Sequence, residues 1–374
     1  MNEKRFSIDR PLLILAITLI GSGLLFFLSA SLSLLDKKEE LSRIITTQIF
    51  LGLVGGSISA YIVTKIPLKY LKSIAFPFVV ISIILTALLF VPGVGVKISG
   101  ATRWINLGFI SFQPAEILKY AIVIYYAAWL AYSEKKEKTI WNTLIPILVV
   151  LGVTGGLLLF QPDTDTFLII SITCIAMFFL SGAKWKYILG LFAIGIILGG
   201  ILIAYRPYIF SRITTFMNPN HDPLGSSYQI RQSLIAVGSG GMTGRGFGQS
   251  VQKFKYLPEP LSDSIYAVVS EEFGFIGSIG LVIVYILFGL RGYVIAIRTN
   301  DTFHKFVVVG IVSLVVLQSL LNIASTIALV PLSGLPLVFV SHGGTALFFS
   351  LISLGIILNI SQYQKTIKLP IHRR

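Results

Sequence analysis

Long apolar runs dominate this chain and decide what it can fold into. Many stretches of about 20 residues carry almost no charge, and each could cross the ~30 Å hydrocarbon core of a bilayer. Backbone groups in lipid must pair within the protein, and the runs do not alternate as barrel strands do, so they predict helices. A soluble domain would have about 25% charged residues, whereas this chain has 12%. We therefore predict an all-α integral membrane protein.

We predict ten membrane-spanning helices in a single polytopic domain, 1–374. The expected spans are 11–35, 44–64, 73–92, 114–132, 142–160, 164–181, 187–205, 265–290, 304–330 and 341–361. If the N-terminus is cytoplasmic, the inside segments hold 18 Lys and Arg, against five in the short outside segments. Both termini are therefore expected in the cytoplasm. The first run is too long for a signal peptide and is expected to remain as a span.

The net charge of +14 does not indicate a nucleic-acid partner. The basic residues lie in loops between apolar runs, where they fix orientation against the anionic leaflet. The single cysteine, Cys174, excludes an internal disulfide and is expected to be a small buried hydrophobic residue. The sequence has no visible repeat of the kind found in transporters.

Two segments on the predicted outer side are too elaborate to be simple connections. Residues 92–116 are partly apolar and are expected to dip into the membrane edge. Residues 206–264 form a loop insertion whose length favours an ordered, functional segment. Within it, SSYQIRQSLIAV predicts a short amphipathic helix on the membrane surface. The glycine-rich GSGGMTGRGFGQS lacks the strand and helix of a phosphate-binding loop, so we expect irregular backbone rather than a nucleotide site.

Ionisable residues at the ends of apolar runs are costly in a membrane protein and are therefore functional candidates. Just before the eighth span, Ser262 or Asp263 could be the helix N-cap. Asp263 could also be a base that takes a proton from a hydroxyl nucleophile, and the two roles are compatible. Glu271 and Glu272 follow within two turns and cannot both face lipid, so at least one is expected to pair with a cation.

Glu116 and Lys119 lie three residues apart at the start of the fourth span, on one face of the helix. They could form a self-contained ion pair. A cationic site for a phosphate near the outer surface is the favoured interpretation, because an ammonium group serves phosphate as a compact point charge.

Two interpretations are open for each of three other residues, Arg103, Asp163 and Asp165. Arg103, beside a tryptophan, is either an interfacial anchor or a clamp for pyrophosphate. Asp163 and Asp165 either shape a turn after a proline, or support Lys119 or a hard cation such as Mg²⁺. His342 is expected to be structural, because no second metal-ligating residue lies at suitable spacing beside it.

The polar segments carry recognisable motifs: GATRWINLG, FQPAEILK, QPD, DPLGSSYQIRQSLIAVGSGGMTGRGFGQSVQKFKYLPEPLSDSIYAVVSEEFGFIG and GLPLVFVSHGGTALFFSLISLGIILNIS. Through them the chain resembles the SEDS family, the RodA and FtsW group, over nearly its whole length, and looks more like the FtsW branch. The resemblance implies ten spans and a peptidoglycan glycosyltransferase of the bacterial cytoplasmic membrane. Lipid II would be its substrate, undecaprenyl pyrophosphate its released product, and a class B penicillin-binding transpeptidase its partner.

The resemblance also implies roles for particular residues. Asp263 would be the catalytic residue. The expected substrate-binding residues are Arg103, Glu116, Lys119, Asp163, Arg231, Gln232 and Ser341. Four positions depart from the family pattern: Ala115 where Ser is usual, Asp165 where Gly is usual, Val338 where Pro is usual, and His342 where Tyr is usual. The loop that carries Asp263 is unchanged.

The resulting hypothesis is an attack by a sugar hydroxyl on a lipid-linked donor. Asp263 would deprotonate the 4-hydroxyl of an acceptor sugar, which would attack the anomeric carbon of a donor whose pyrophosphate leaves. Lys119 and Arg103, with or without a divalent cation such as Mg²⁺ or Mn²⁺, would stabilise the leaving charge. Two alternatives stay open: a lipid II flippase that uses the same site and a groove for the polyprenyl tail, and a catalytically silent scaffold of division or elongation.

Overall fold

The computed structural model describes residues 7–98, 101–106, 111–134, 140–218, 225 and 227–363. This part of the chain is mostly helical. The helices are α1 Arg10–Ser31, α2 Lys38–Thr46, α3 Gly56–Val63, α4 Lys69–Ala87, α5 Pro114–Ser133, α6 Ile140–Phe160, α7 Thr164–Leu180, α8 Trp185–Tyr205, α9 Pro207–Met217, α10 Tyr228–Ser239, α11 Ile265–Arg298, α12 Thr302–Thr326 and α13 Gly344–Ser361. A π-helical stretch, Thr47–Gly55, joins α2 to α3 without a break.

Every predicted span coincides with a helix, and α2, the π-helical stretch and α3 together make one of them. Within the described residues, seven helical stretches are long and apolar enough to cross a membrane, and α6 and α7 contribute two shorter apolar segments. The chain is therefore a multi-pass membrane protein. The number of ten crossings and the orientation stay predictions. Part of the orientation argument lies outside the described residues: Lys4, Arg5, Lys135, Lys136, Lys138, Lys365, Lys368, Arg373 and Arg374.

Local sequence sets the start of several helices. Asp9, Asp163 and Asp301 precede α1, α7 and α12, and each side chain accepts a hydrogen bond from the backbone N–H three residues further on. Such caps satisfy N–H groups that have no partner in the first turn of a helix. For Asp163, this confirms the predicted role in the turn.

The core forms around α12, which packs against α5, α7, α11 and α13. Side chains are buried on all faces of α12, as expected for a helix that is apolar all round. Cys174 is buried in the same core, as predicted. By contrast, α8 buries only Tyr187, Ile188 and Leu191, so most of its apolar surface faces outward.

Residues 92–116 contain a small sheet that the all-α prediction missed. Strands β1 Gly95–Ile98, β2 Ala101–Asn106 and β3 Ser111–Phe112 pair antiparallel in that order. The apolar character of this segment suggested a dip into the membrane. Its Val, Ile, Thr and Trp residues are equally typical of strands. The sheet leads directly into α5 and contacts it through β2.

The long loop of residues 206–264 is ordered where the structure describes it. The predicted amphipathic helix is confirmed as α10, which packs against α11. A second helix, α9, was not predicted. The position of both helices relative to a membrane surface stays a prediction.

The glycine-rich segment after α10 has the irregular backbone that was predicted, and it packs tightly on α11. Gly274 interrupts α11 with a φ of 64°. A Cβ at Gly274 would lie 2.3 Å from the backbone N of Gly244, so only glycine fits. The kink frees the N–H groups of Phe275 and Ile276, which donate to carbonyls of the glycine-rich segment at 2.8 and 3.1 Å.

Candidate functional site

An enclosed cluster of polar side chains lies between α11, α1 and the glycine-rich segment. It contains Glu271 and Glu272, for which the sequence predicted no particular partner. Lys253 Nζ lies 2.7 Å from Glu272 Oε1 and 2.8 Å from Ser29 Oγ, and Ser29 Oγ in turn donates to Glu272 at 2.6 Å. Glu271 accepts a 2.6 Å hydrogen bond from Ser250 Oγ. It also accepts bonds from the backbone N–H groups of residues 251 and 252. The prediction that one glutamate pairs with a cation is confirmed.

Asp263 lies in a more open environment, although only about two helical turns separate it from the enclosed cluster. It is half-buried and lines a cavity of about 190 Å³. The other lining residues come from α9, α10 and the segment before α13: Ser211, Arg212, Thr215, Phe216, Gln229, Ile230, Leu332, Ser333 and Gly334. The prediction of a side-chain N-cap was wrong, because Ser264 occupies that position and makes no capping hydrogen bond with its side chain. The Asp263 carboxylate is thus left for the cavity.

One hydrogen bond to its backbone and one within the preceding turn hold Asp263 in place. Asn322 Nδ2 on α12 donates to the Asp263 carbonyl and to the Leu335 carbonyl, both at 2.8 Å. On the other side, the Glu259 carboxylate accepts a 3.0 Å hydrogen bond from Ser262 Oγ. Sequence reasoning missed Asn322, whose only signal was an amide inside an apolar run.

Asp165 and Arg212 form an ion pair close to Asp263. Arg212 Nη1 on α9 lies 2.9 Å from Asp165 Oδ1 and 2.8 Å from Asp165 Oδ2. The Gly334 N–H donates to the same carboxylate at 2.9 Å. A Cβ at Gly334 would lie 3.4 Å from Asp165 Oδ2 and 3.6 Å from Asp263 Oδ2, so the two carboxylates flank one glycine. Arg212 was missed, and its only signal in the sequence was its positive charge within the long loop.

This environment brings the pKa of Asp263 close to neutrality. Burial, followed by the negative charges of Glu259 and Asp165, raises the pKa of Asp263 to about 7, against the opposing effect of Arg212 and Arg103. A carboxylate with a pKa near the working pH can both take up and release a proton, which suits general acid–base chemistry.

The fold places Arg103 next to Asp163, and both residues were predicted to belong to one binding site. Arg103 Nη1 on β2 lies 3.8 Å from Asp163 Oδ1, and Nη2 donates to the Pro162 carbonyl. Burial raises the pKa of Asp163, and Arg103 opposes that rise. The interpretation that Asp163 or Asp165 supports Lys119 was wrong, because each pairs with an arginine instead.

Glu116 and Lys119 form a buried ion pair with a third member. Lys119 Nζ lies 2.9 Å from Glu116 Oε1 and 2.9 Å from Gln318 Oε1, and its side chain is 1% exposed. Gln318 Nε2 in turn donates to the Pro336 carbonyl at 2.9 Å. The ammonium group is thus enclosed and joins α5, α12 and the segment before α13, rather than facing a cavity. A phosphate could reach Lys119 only if this network opened.

The remaining predicted residues lie beside the cavity rather than in its lining. Ser341 Oγ donates to the Ser262 carbonyl at 2.6 Å and accepts from the Leu337 N–H at 2.8 Å, so its hydroxyl fastens the Asp263 loop. Arg231 and Gln232 are half-buried on α10. Their neighbours Gln229 and Ile230, which were not predicted, line the cavity instead.

His342 has the structural environment expected of it. Its N–H donates to the Leu261 carbonyl at 2.7 Å. Its ring stacks on Phe27 with centroids 5.9 Å apart. Burial, together with the charge of Arg43, lowers the pKa of His342 to about 4.

The divalent cation expected from the sequence stays a prediction, since Mg²⁺ is usually held by one or two carboxylates together with substrate phosphates. Among the described residues, no three His, Cys, Asp or Glu side chains are grouped as metal ligands. Both oxygens of Asp165 are engaged by Arg212, and one of them also by the Gly334 N–H. A cation between Asp165 and Asp263 would have to displace the guanidinium group.

Comparison with known proteins shows which protein family this chain is similar to. The model of the FtsW, RodA and SpoVE family, described as cell cycle protein, matches residues 10–366. Stage V sporulation protein E of Bacillus subtilis (strain 168) is 36% identical over 367 residues, 98% of this chain and 100% of that protein. The probable peptidoglycan glycosyltransferase FtsW of Alcanivorax borkumensis is 36% identical over 356 residues, 94% of this chain and 92% of that protein.

Solved structures have the same fold. One is a chain of a peptidoglycan synthase complex in which polymerization and crosslinking are coordinated. It aligns with a TM-score of 0.80 at 25% identity, covering 96% of this chain and 100% of that chain. The rod shape determining protein RodA of Thermus thermophilus aligns with a TM-score of 0.69 at 25% identity, covering 96% of this chain and 99% of that chain.

Proposed function

Because this chain belongs to the FtsW, RodA and SpoVE family of cell cycle proteins, we propose that it polymerises lipid II into glycan strands at the outer face of the bacterial cytoplasmic membrane. The names of its relatives support a peptidoglycan glycosyltransferase. The observation that carries the proposal is a half-buried carboxylate, Asp263, that faces a cavity lined by a cation, Arg212. Glycosyl transfer to a hydroxyl group requires this combination of a base and a positive charge near the leaving group.

In the proposed reaction, Asp263 is the general base. Its carboxylate takes the proton from the 4-hydroxyl of the acceptor sugar as that oxygen bonds to the anomeric carbon of the donor. The bond from the anomeric carbon to the pyrophosphate oxygen breaks, and its electron pair leaves with undecaprenyl pyrophosphate. The transition state has positive character at the sugar carbon, as in glycoside hydrolysis. A pKa near 7 leaves a substantial fraction of Asp263 ionised at neutral pH.

The negative charge on the leaving pyrophosphate requires cations that substrate can reach. Arg212 lines the cavity, and Arg103 is close enough to lower the pKa of Asp263. We assign leaving-group stabilisation to these two guanidinium groups, since fixed charges aimed at a developing charge are usually the largest catalytic term. We assign Lys119 and Glu116 to support of the segment that carries Gly334, because their ion pair is enclosed.

The end of the helix bundle remote from Asp263 contains contacts that a flippase would have to break during transport. Arg291 on α11 donates two hydrogen bonds to Asp9, at 2.9 and 2.7 Å. The backbone N–H of Asp9 lies 3.1 Å from Ser361 Oγ. These contacts join α1, α11 and α13 at the end remote from Asp263. A flippase would have to open this end for the headgroup, whereas a glycosyltransferase acting at the outer face would not.

We further propose a class B penicillin-binding transpeptidase as the partner. The structural relative with the higher TM-score belongs to a complex that combines polymerization with crosslinking. The family resemblance implies the same type of partner for this chain.

The test is glycan polymerisation from purified lipid II by the full chain with its transpeptidase, with Asp263 replaced by Asn or Ala. Removing a general base is expected to lower the rate by about 10²–10⁴-fold. Asp36→Asn, which neutralises an exposed acid between α1 and α2, is the matched control. Full activity of a correctly inserted Asp263→Asn protein would overturn the assignment of the base. Lipid II translocation without polymer formation by the unmodified protein would favour the flippase.

A further inference from the structure

Asp165 lies in the first turn of α7, where the family resemblance leads one to expect glycine. Its side chain contacts two segments that are distant in sequence and border the cavity. One is α9, through both carboxylate oxygens to Arg212 Nη1. The other is the segment before α13, through the Gly334 N–H at 2.9 Å. A glycine at this position could make neither contact.

The contact with α9 matters because α9 buries few of its side chains. Of its residues, only Thr215 is buried. Its main packing partner is α8, which itself lies at the periphery. A helix without a fully buried apolar face is only weakly fixed by packing, and the charge-assisted hydrogen bonds from Arg212 to Asp165 tie α9 to the core.

We infer that Asp165 is a positioning residue that clamps α9 to the segment before α13 and so holds the Arg212 guanidinium beside Asp263, ready to bind the anionic part of the lipid-linked donor. The catalytic consequence rests on the proposed function, whereas the clamp itself does not. Nη1 is occupied by Asp165, while the Arg212 side chain remains 35% exposed and lines the cavity. The rest of the guanidinium fork is therefore available for a phosphate oxygen, which arginine binds through paired N–H groups.

The charges around Asp263 give the clamp a second, measurable effect. The groups that act on Asp263 are Glu259 on its own loop, Asp165 on α7, Arg212 on α9 and Arg103 on β2. Removing the negative charge of Asp165 eliminates one influence that raises the pKa of Asp263. Releasing Arg212 removes a smaller, opposing influence, because Arg212 lowers the pKa of Asp263 by less than Asp165 raises it. The net effect of Asp165→Asn is a lower pKa of Asp263, which moves the low-pH (acid) limb of the pH–rate profile toward lower pH.

The first experiment measures the clamp without reference to activity. Backbone hydrogen exchange of residues 207–217 is compared in the full chain in lipid nanodiscs for the unmodified protein, Asp165→Asn, Arg212→Gln and the control Asp36→Asn. Asp165→Asn and Arg212→Gln are each expected to raise the exchange rate of α9 by about tenfold or more, the effect of losing roughly 1.4 kcal/mol of local stability. Arg212→Gln changes a partly exposed side chain on a peripheral helix and therefore tests the clamp even if Asp165→Asn fails to insert. Unchanged exchange in the Arg212→Gln protein would overturn the clamp.

The second experiment measures polymerisation kinetics from lipid II as a function of pH. For Asp165→Asn we expect KM to rise by about tenfold and kcat above neutral pH to fall by about three- to tenfold, because a displaced Arg212 both binds the donor and stabilises its leaving pyrophosphate less well. The acid limb should move to lower pH, and Asp165→Glu should restore part of both effects. The double variant Asp165→Asn/Arg212→Gln should have a KM no higher than Arg212→Gln alone, because Asp165 acts through Arg212.

The two experiments separate the possible failures. An Asp165→Asn protein with normal KM and an unshifted acid limb would remove the positioning role, even if α9 exchanged faster. If the unmodified chain formed no polymer, the proposed function would fail, while the exchange experiment would still decide whether Asp165 holds α9.

Discussion

Two groups of carboxylates lie near the start of α11, and their environments are opposite. In the enclosed cluster, Glu272 contacts Lys253 and Ser29, and Glu271 is bound by Ser250 and two backbone N–H groups. The second group, which we call the open group, contains Asp165 and Asp263. Arg212 pairs with Asp165, whereas no described residue forms an ion pair with Asp263. The Asp263 carboxylate therefore lines the cavity without an ion-pair partner among the described residues.

The difference shows how the same residue type supports a fold in one place and chemistry in another. A buried charge that is fully paired stabilises the segments it joins, and it has no free oxygen to offer a substrate. A half-buried charge beside a second carboxylate keeps a raised pKa and an accessible oxygen, and both are needed by a general base. The enclosed cluster also fixes the loop on which the open group depends, since Glu271 and Glu272 hold the glycine-rich segment that leads to Asp263.

The largest effect on stability is expected from breaking the enclosed cluster. Lys253→Met would leave Glu272 buried without its cation, which costs about 3–5 kcal/mol of folding free energy for pairs of this kind. Thermal unfolding of the purified protein in detergent measures the loss. Lys255→Met is the matched control, since Lys255 is exposed two residues away. Equal melting temperatures for the two variants would show that the cluster is not structural.

The Glu116–Lys119 pair can be assigned to support or to substrate binding by a double substitution. Lys119→Met alone is expected to cost about 2–3 kcal/mol, because the buried Glu116 loses its partner. Adding Glu116→Gln removes the unpaired charge and should restore much of the stability and of the polymerisation rate. A double variant that is stable but inactive would instead show that substrate binds the Lys119 ammonium group.

The pH dependence of the rate distinguishes Asp263 from an ordinary surface carboxylate. Its folded-state pKa of about 7 lies above that of a free aspartate. A base must be ionised, so the rate should fall about tenfold for each pH unit below about 7 and level off above it. Polymerisation assays between about pH 5 and pH 8 measure this limb. A rate that stays flat down to about pH 5 would mean that Asp263 has a normal pKa or is not the base.

The smallest expected effect comes from one methyl group between the two carboxylates. Gly334→Ala would place a Cβ in ordinary contact with Asp165 and Asp263, without a steric clash. We expect a KM increase of about three- to tenfold and almost no change in melting temperature, since the methyl group fills space that substrate needs. Gly238→Ala, where a Cβ would meet nothing within 4 Å, controls for the added side chain. Identical KM values for the two variants would place substrate away from Gly334.

The sequence by itself determined the membrane class, the positions of most helices and the family, and it pointed to Asp263 as a candidate base. Apolar runs long enough to span a bilayer admit only helices, and the motif around Asp263 is long and specific. Caps such as Asp163 could also be predicted, because they depend on residues within one turn. The small sheet of residues 92–116 escaped prediction because its apolar residues suit both strands and membrane contact.

Only the tertiary structure decided which charges meet. Arg212 and Asp165 are 47 residues apart in sequence, and Asp165 and Gly334 are 169 apart. Nothing in the local pattern around any of these residues predicts the others. The same holds for Lys119 and Gln318, which are in contact although they are 199 residues apart in sequence. Periodicity and capping are properties of neighbouring residues, whereas the partner of a charge depends on how α5, α7, α9 and α12 pack together.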